Sequence, residues 1–210
     1  MRRRDREITD REKMLEIVAE CDCCRLGLVD NGEAYIVPMN FGFEDAGSAL
    51  TLYFHCAAEG RKLDLIGSGA DVSFEMDCSH ALRAADIACA FSYSYGCVMG
   101  RGHAAPVTDR DEKLHALGLI MRHYSGKADW SFDPRALERL TIIRLTVNDW
   151  SCKASGWRGK ILYRFLMTAG RHSGRLLRGQ FSVCILFPDG NPPSLPPGIN
   201  HFLIIYPLGF

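Results

Sequence analysis

The chain has 210 residues, 47% apolar and 24% charged, with a formal net charge of zero, the profile of a globular protein with a substantial core. Balanced charge argues against a partner held by bulk electrostatics, so neither nucleic acid nor an anionic membrane surface is expected. No run reaches the roughly 20 apolar residues of a membrane helix. The basic start Arg2-Arg3-Arg4 is followed by Asp5, Glu7 and Asp10 rather than an apolar stretch, so no secretory signal is expected and the chain reads as cytoplasmic.

Thr9-x-x-Glu12 has the form of a capping box, with Ile8 before it and Met14, Leu15 and Val18 after it, and predicts a helix over 10–21. Arg25–Val29 and Ala34–Phe41 flank Asp30-Asn31-Gly32, a strong hairpin signal. After the turn residues Glu44, Asp45, Ala46 and Gly47, Leu50–His55 reads as a strand, and Glu59–Ile66 as a short amphipathic helix. Val72–Met76 is a strand, and Ser94–Val107 a long one whose glycines at 96, 100 and 102 imply a bend or bulge. Asp109 caps a helix over 110–124 with Leu114, Leu117, Ile120 and Met121 on one face, and Leu140–Val147 is the last strand. Six strands and three helices, joined mostly as hairpins, favour an α+β, mainly β antiparallel barrel over a doubly wound sheet. Closure into a barrel also removes exposed sheet edges.

Residues 161–210 differ in composition, with six of the nine prolines, no Lys or Glu and a single acid, Asp189. Pro192, Pro193, Pro196 and Pro197 oppose regular structure, while Phe181–Phe187 and Phe202–Tyr206 are strongly apolar. The expected division is therefore a barrel over 1–157 and an atypical extension over 158–210. Two readings of that extension stay open: an accessory segment that packs on the barrel or a partner, and an appended or frame-shifted, poorly ordered stretch with no evolved role.

Nine scattered cysteines do not read as a disulfide framework. Cys21 and Cys24 form a C-x-x-C with Cys23 between them, but no second pair stands at zinc-ligand spacing. No metal is expected, and the thiols read as reduced core or surface groups. Leu52–Ile66 carries the sharpest chemical signal: a strand, a glycine turn at Gly60, and a helix opening with Arg61 and Lys62. A guanidinium fork and an ammonium at a helix start suit a phosphate; the plainer alternative is two solvated surface cations.

This stretch, together with Tyr35-Ile36-Val37-Pro38-Met39-Asn40-Phe41 and with Tyr95-Gly96-Cys97-Val98 through Gly102-His103-Ala104 to His123-Tyr124, resembles the pyridoxamine 5′-phosphate oxidase-like FMN-binding split-barrel superfamily, above all its nitroimidazole-resistance (Nim-type) branch. The resemblance spans residues 8–155. It implies a six-stranded antiparallel split β-barrel and a homodimer with FMN at the subunit interface. By position, Val37, Pro38, Met39 and Asn40 would line the isoalloxazine ring, largely through backbone groups. Arg61 and Lys62 would grip the phosphate, with His55 and Cys56 against the phosphate and ribityl chain. Cys97 falls where relatives carry a Ser or Gln facing FMN, often from the other subunit; a thiol is a weaker hydrogen-bonding group. His55 is the candidate for catalytic proton delivery, the alternative being a hydrogen bond to phosphate or backbone only. Lys153 matches a Gly-Lys of the branch weakly, since Cys152 precedes it, and Trp130 reads either as a flavin-edge ring or as loop packing. The remaining histidines (80, 103, 115, 123, 172 and 201) lack ligand spacing.

The implied activity is an FMN-dependent reductase of small nitroaromatic compounds, drawing on a nicotinamide donor, NAD(P)H. Two alternatives remain: a non-catalytic flavin- or haem-binding module, and a pyridoxamine 5′-phosphate oxidase. Asp149-Trp150-Ser151-Cys152-Lys153 does not supply the Arg-x-Tyr-Arg-Leu-like strand those oxidases use for substrate.

Overall fold

The computed structural model describes residues 3–47, 49–127 and 129–159. From residue 160 the extension lies outside the described residues. In chain order the elements are β1 (Glu7–Ile8), α1 (Arg11–Glu20), β2 (Cys24–Asp30), β3 (Glu33–Met39), β4 (Phe41–Asp45), β5 (Leu50–Ala57), α2 (Arg61–Ile66), β6 (Ala70–Arg83), β7 (Ser92–Pro106), α3 (Arg110–Ser125), α4 (Pro134–Leu137) and β8 (Leu140–Ser155). Short 3₁₀ turns lie at Arg4–Arg6 and Ala88–Ala90.

All strands join one antiparallel sheet in the order β3-β2-β6-β7-β8-β5-β4, with β1 added against β8. The two strands at the ends of that order, β3 and β4, are consecutive in the chain and separated only by Asn40. They act as one bent strand, paired with β2 through its first half and with β5 through its second. The sheet thus wraps into a barrel that is split at this bend. Counting β3–β4 once and setting aside the two-residue β1, six long strands make the split barrel, as expected.

Beyond the unexpected short β1 and α4, and a β4 that takes in the expected turn residues Glu44 and Asp45, three strands differ from the sequence-based expectation. The strand expected over 34–41 breaks at Asn40. The strand expected over 72–76 runs on to Arg83, because the alternation of outward polar Ser73, Glu75 and Asp77 with inward Phe74 and Met76 continues to Cys78, which stays inside. A bulge between Cys78 and Ala81, with Ser79 at φ 57°, lets it continue. The last strand passes Asn148-Asp149 to Ser155, absorbing that polar pair in a bulge opposite Arg101/Gly102.

Alternation fills the barrel. Leu26 and Leu28 of β2, Leu52 and Phe54 of β5, Phe74 and Met76 of β6, and Ile143 and Leu145 of β8 all point inward. A second apolar cluster sits outside the barrel, where α3 presses Ala116, Leu117 and Leu119 on Tyr53 and Ile142. The approach is closest at Gly42 of β4: a Cβ there would lie 2.5 Å from the Ile120 backbone nitrogen. Asp109 caps α3 by accepting from the Glu112 N–H at 2.8 Å, as the sequence implies. At α1 the cap is Asp10, accepting from the Lys13 N–H at 3.0 Å, one residue later than the Thr9 of the capping-box pattern. A carboxylate is an equally good N-cap and brings favourable charge to the helix start.

The first turn of α1 is pinned to β4 by Arg11, whose Nε–H donates to Asp45 at 3.2 Å. Arg11 holds the Asp45 carboxyl below the usual carboxylate range. Because the folded value is the lower one, the stabilisation is present above the unfolded value and lost as pH falls through the folded one. For a partly solvated pair, Asp45→Asn should cost about 0.5–1 kcal/mol at neutral pH. In urea titrations the difference should shrink towards zero in acid; a pH-independent difference would refute the assignment.

Candidate functional site

The site is built where β5 leaves the barrel. Inward Phe54 and Cys56 stay buried while His55 faces out and is exposed. Cys56 therefore offers an outside ligand only its backbone; burial pushes its thiol up, opposed by the nearby Lys62. The chain then turns through Gly60, at φ 138°, into α2. That helix has only six residues, so its end charge is small and the side chains of Arg61 and Lys62 must supply the positive potential.

Arg61 is exposed but not free. Its Nε–H donates to Asp30 at 2.7 Å, and its guanidinium carbon lies 4.5 Å from the centre of the Tyr35 ring. Both partners flank the Asn31-Gly32 turn, whose residues take φ values of 51° and 86°. The hairpin thus orients the guanidinium at the barrel mouth. Lys62, half-buried, carries no salt bridge among the described residues. Asp30 and Tyr35 were not singled out from the sequence. Asp30 reads there as a turn residue and Tyr35 as one more strand position, although its alternation with Val37 and Met39 places all three on the inner face.

Along 37–40, Val37 and Met39 pack into the barrel, whereas Pro38 and Asn40 are exposed. On the outer face Ile36 stands opposite Gly27. Small residues there open a groove of about 520 Å³ lined by Arg25, Gly27, Ile36, Ser73, Glu75 and Met99. Ile36 is 64% and Met99 37% exposed, an uncovered apolar strip continued by Val29 at 72%. Arg25 at the groove's edge donates to Glu75 at 3.0 Å and Asp77 at 2.8 Å.

Cys97 lies further along β7, half-buried, its Sγ 3.7 Å from Glu75. Burial and the Glu75 carboxylate push its thiol up to about 11, so at neutral pH it is a neutral donor. Cys97 pairs with Asp77, whereas Ala70, just after α2, pairs with Ala104. Seven residues of strand, about 23 Å, separate these positions. One chain therefore gathers His55, Arg61 and Lys62 at the β5–α2 turn and leaves Cys97 remote from them.

The remaining histidines are tied into local contacts. His115 Nε2 is 2.7 Å from Glu44, His123 Nε2 is 2.7 Å from the Cys21 carbonyl, His103 pairs with Asp71 and His80 with Asp77. His172 and His201 lie outside the described residues. Lys153 pairs in register with Cys97, and the Trp130 indole N–H donates to the Lys127 carbonyl at 3.2 Å. No group of three His, Cys, Asp or Glu among the described residues is arranged to hold a metal ion. No described helix is long and apolar enough to cross a membrane.

The family profile of pyridoxamine 5′-phosphate oxidase matches residues 10–154, the whole barrel from α1 to β8. A candidate 5-nitroimidazole antibiotic resistance protein from Bacteroides thetaiotaomicron is 31% identical, with a TM-score of 0.61 over 70% of this chain and 86% of that one. A flavocytochrome from Azotobacter vinelandii shares the fold at 18% identity, TM-score 0.62, over 93% of this chain and 90% of that one. So does an FAD and heme binding protein from Mycobacterium smegmatis, at 20% identity and TM-score 0.62 over 91% and 94%. Among curated proteins none matches the chain. From the bent β3–β4 strand, the barrel it shapes and the family match over residues 10–154, the chain belongs to the pyridoxamine 5′-phosphate oxidase family of flavin-binding split barrels.

Proposed function

We propose that the protein binds FMN between two copies of the chain and reduces small nitroaromatic compounds, 5-nitroimidazoles among them, with electrons from NAD(P)H. The observation that carries this reading is the cation pair Arg61–Lys62 at the barrel mouth, with Arg61 held in place by Asp30 and Tyr35. The donor set fits a phosphate: a fork that can bond two oxygens and a separate point charge. The 31% identity to the candidate resistance protein supports the substrate class. Flavin supplies the redox chemistry when bound; the chain supplies position, charge and exclusion of water.

The chain's own residues divide the work. Arg61 and Lys62 hold the phosphate, with His55 and the Cys56 backbone beside it. Pro38 and Asn40, with the backbone of Val37 and Met39, form the wall along the ring. Cys97, beside Glu75 on β6, is assigned a contact with the flavin gripped by the other subunit, as the family resemblance implies. The apolar strip of Val29, Ile36 and Met99 is the surface that meets the second copy. Changing Ile36 and Met99 together to Lys should give a monomer by light scattering and lose flavin with the dimer; a flavin-loaded monomer would refute the shared site.

His55 is proposed to deliver the proton that accompanies reduction. His55→Ala should then slow nitro reduction about 10²-fold per bound flavin. If flavin content falls while the rate per bound flavin holds, His55 is a binding residue only.

A second reading is a flavin- or haem-binding module without turnover. Two neighbours that match over more than nine-tenths of this chain are a flavocytochrome and an FAD and heme binding protein. NAD(P)H oxidation with a nitroimidazole acceptor separates the two readings: flavin reduction without turnover would favour the module. The domain division at 157/158 is proposed alongside. Deleting 161–210 should leave flavin content and solubility unchanged if the extension is appended, and lower them if it is an accessory segment.

A further inference from the structure

The C-x-x-C of the sequence is not a unit in the fold. Cys24 enters β2 and is fully buried in the barrel core, while Cys21 ends α1 with 1% of its surface exposed. The thiol beside Cys21 is instead Cys78, at the bulge of β6 and 7% exposed. Both sulfurs face one backbone oxygen: the Cys21 thiol donates to the Ile17 carbonyl at 3.1 Å, and the Cys78 sulfur lies 3.9 Å from the same atom. The two thiols are thus neighbours around the Ile17 carbonyl.

The surroundings hold these two elements in register. Glu20 accepts from the Ser79 hydroxyl at 2.7 Å and from the Trp157 indole N–H at 3.0 Å, so the end of α1 is already laced to the bulge and to β8's exit.

We propose that Cys21 and Cys78 form a reversible dithiol, oxidised by peroxide to a disulfide that ties the end of α1 to β6. This proposal stands independently of the flavin reading. Cys78 is the attacking thiol and Cys21 the resolving one. The Cys78 thiolate attacks one oxygen of hydrogen peroxide, the O–O bond breaks, and a sulfenic acid and hydroxide result. The Cys21 sulfur then attacks the Cys78 sulfur, forming the S–S bond and expelling the sulfenic oxygen as water. Overall, two thiols and one peroxide give one disulfide and two waters, the peroxide taking both electrons. A small dithiol reverses it by exchange. The division of roles follows from exposure and from charge. Contact with Cys21 lowers the Cys78 thiol, against burial and the Glu20 carboxylate 3.8 Å away, which raise it, while the same contact, and burial, raise that of Cys21. Only the thiolate is a nucleophile.

The test treats the full-length reduced protein with a few equivalents of hydrogen peroxide, blocks the remaining thiols, and maps disulfides by non-reducing peptide mass spectrometry. The expected result is loss of about 2 Da, two hydrogens per disulfide, in a peptide pair joining Cys21 to Cys78, restored by dithiothreitol. The oxidised form should also melt at higher temperature than the reduced one. Cys21→Ser and Cys78→Ser should each abolish the linked pair, with Cys78 accumulating as sulfenic acid in the first. Cys89→Ser and Cys97→Ser should leave it intact. A disulfide joining Cys21 to Cys23 or Cys24, or peroxide uptake confined to Cys89 and Cys97 with no linked pair, would overturn the proposal. Because the mapping is read on the wild-type chain, it decides even if a serine variant fails to fold.

Discussion

Arg61→Ala with Lys62→Ala is expected to yield a folded protein that has lost its flavin. Each cation offers a phosphate a charge-assisted hydrogen bond, a class worth about 1.5–3 kcal/mol. Removing both should weaken FMN binding by about 10²–10⁴-fold, the lower end being favoured because Arg61 must share its fork with Asp30. The loss should be specific to the phosphate. Riboflavin, which lacks one, should bind the wild type and the variant alike in a fluorescence-quenching titration. Equal losses for both ligands would mean that the substitutions damaged the barrel mouth, and undiminished FMN binding would refute the phosphate assignment. Neither residue is part of a core cluster, so the thermal midpoint should move little.

Gly42→Ala is the complementary case, expected to leave the flavin contacts alone and to destabilise the fold. The added Cβ would meet the Ile120 nitrogen at 2.5 Å and the Leu119 carbonyl carbon at 2.6 Å. These are backbone atoms of a capped helix and cannot rotate aside as a side chain would. Either α3 lifts from β4, opening the cluster around Tyr53 and Leu119, or the strand bends. Overpacking of this kind costs about 2–3 kcal/mol, which in a chain of this size lowers the melting temperature by about 4–12 °C. An unchanged melting curve would mean that α3 is not seated on β4 as described.

The barrel was legible in the sequence because its signals are local. The Asn31-Gly32 turn, the Asp109 cap and the apolar alternation of β2 and β5 each fix an element without reference to the rest. The lengths of β6 and β8 were hidden because bulges let strands run through polar residues, Asp77-Cys78-Ser79 in one and Asn148-Asp149 in the other, that read as turns one at a time. The break at Asn40 was hidden for a different reason. It arises from closure, in which one continuous apolar stretch serves both ends of the sheet, and no local preference records that demand.

The candidate site divides in the same way. Arg61 and Lys62 are visible as adjacent cations after a glycine turn. Their orientation by Asp30 and Tyr35 depends on a hairpin some 30 residues earlier folding over the same mouth. Cys56 is placed next to His55 by sequence, yet strand alternation sends the two side chains to opposite faces of the sheet. The pairing of Cys21 with Cys78 rather than Cys24 likewise follows from where α1 ends over the barrel, not from the spacing of the cysteines.

Whether the protein is an FMN-binding dimer is decided by the identity and amount of flavin that the purified full-length chain carries. One FMN per chain is expected, released on denaturation and identified by mass, in a protein that scatters as a dimer. A protein that carries no flavin and takes up none when FMN is added, or that holds haem alone, would contradict it.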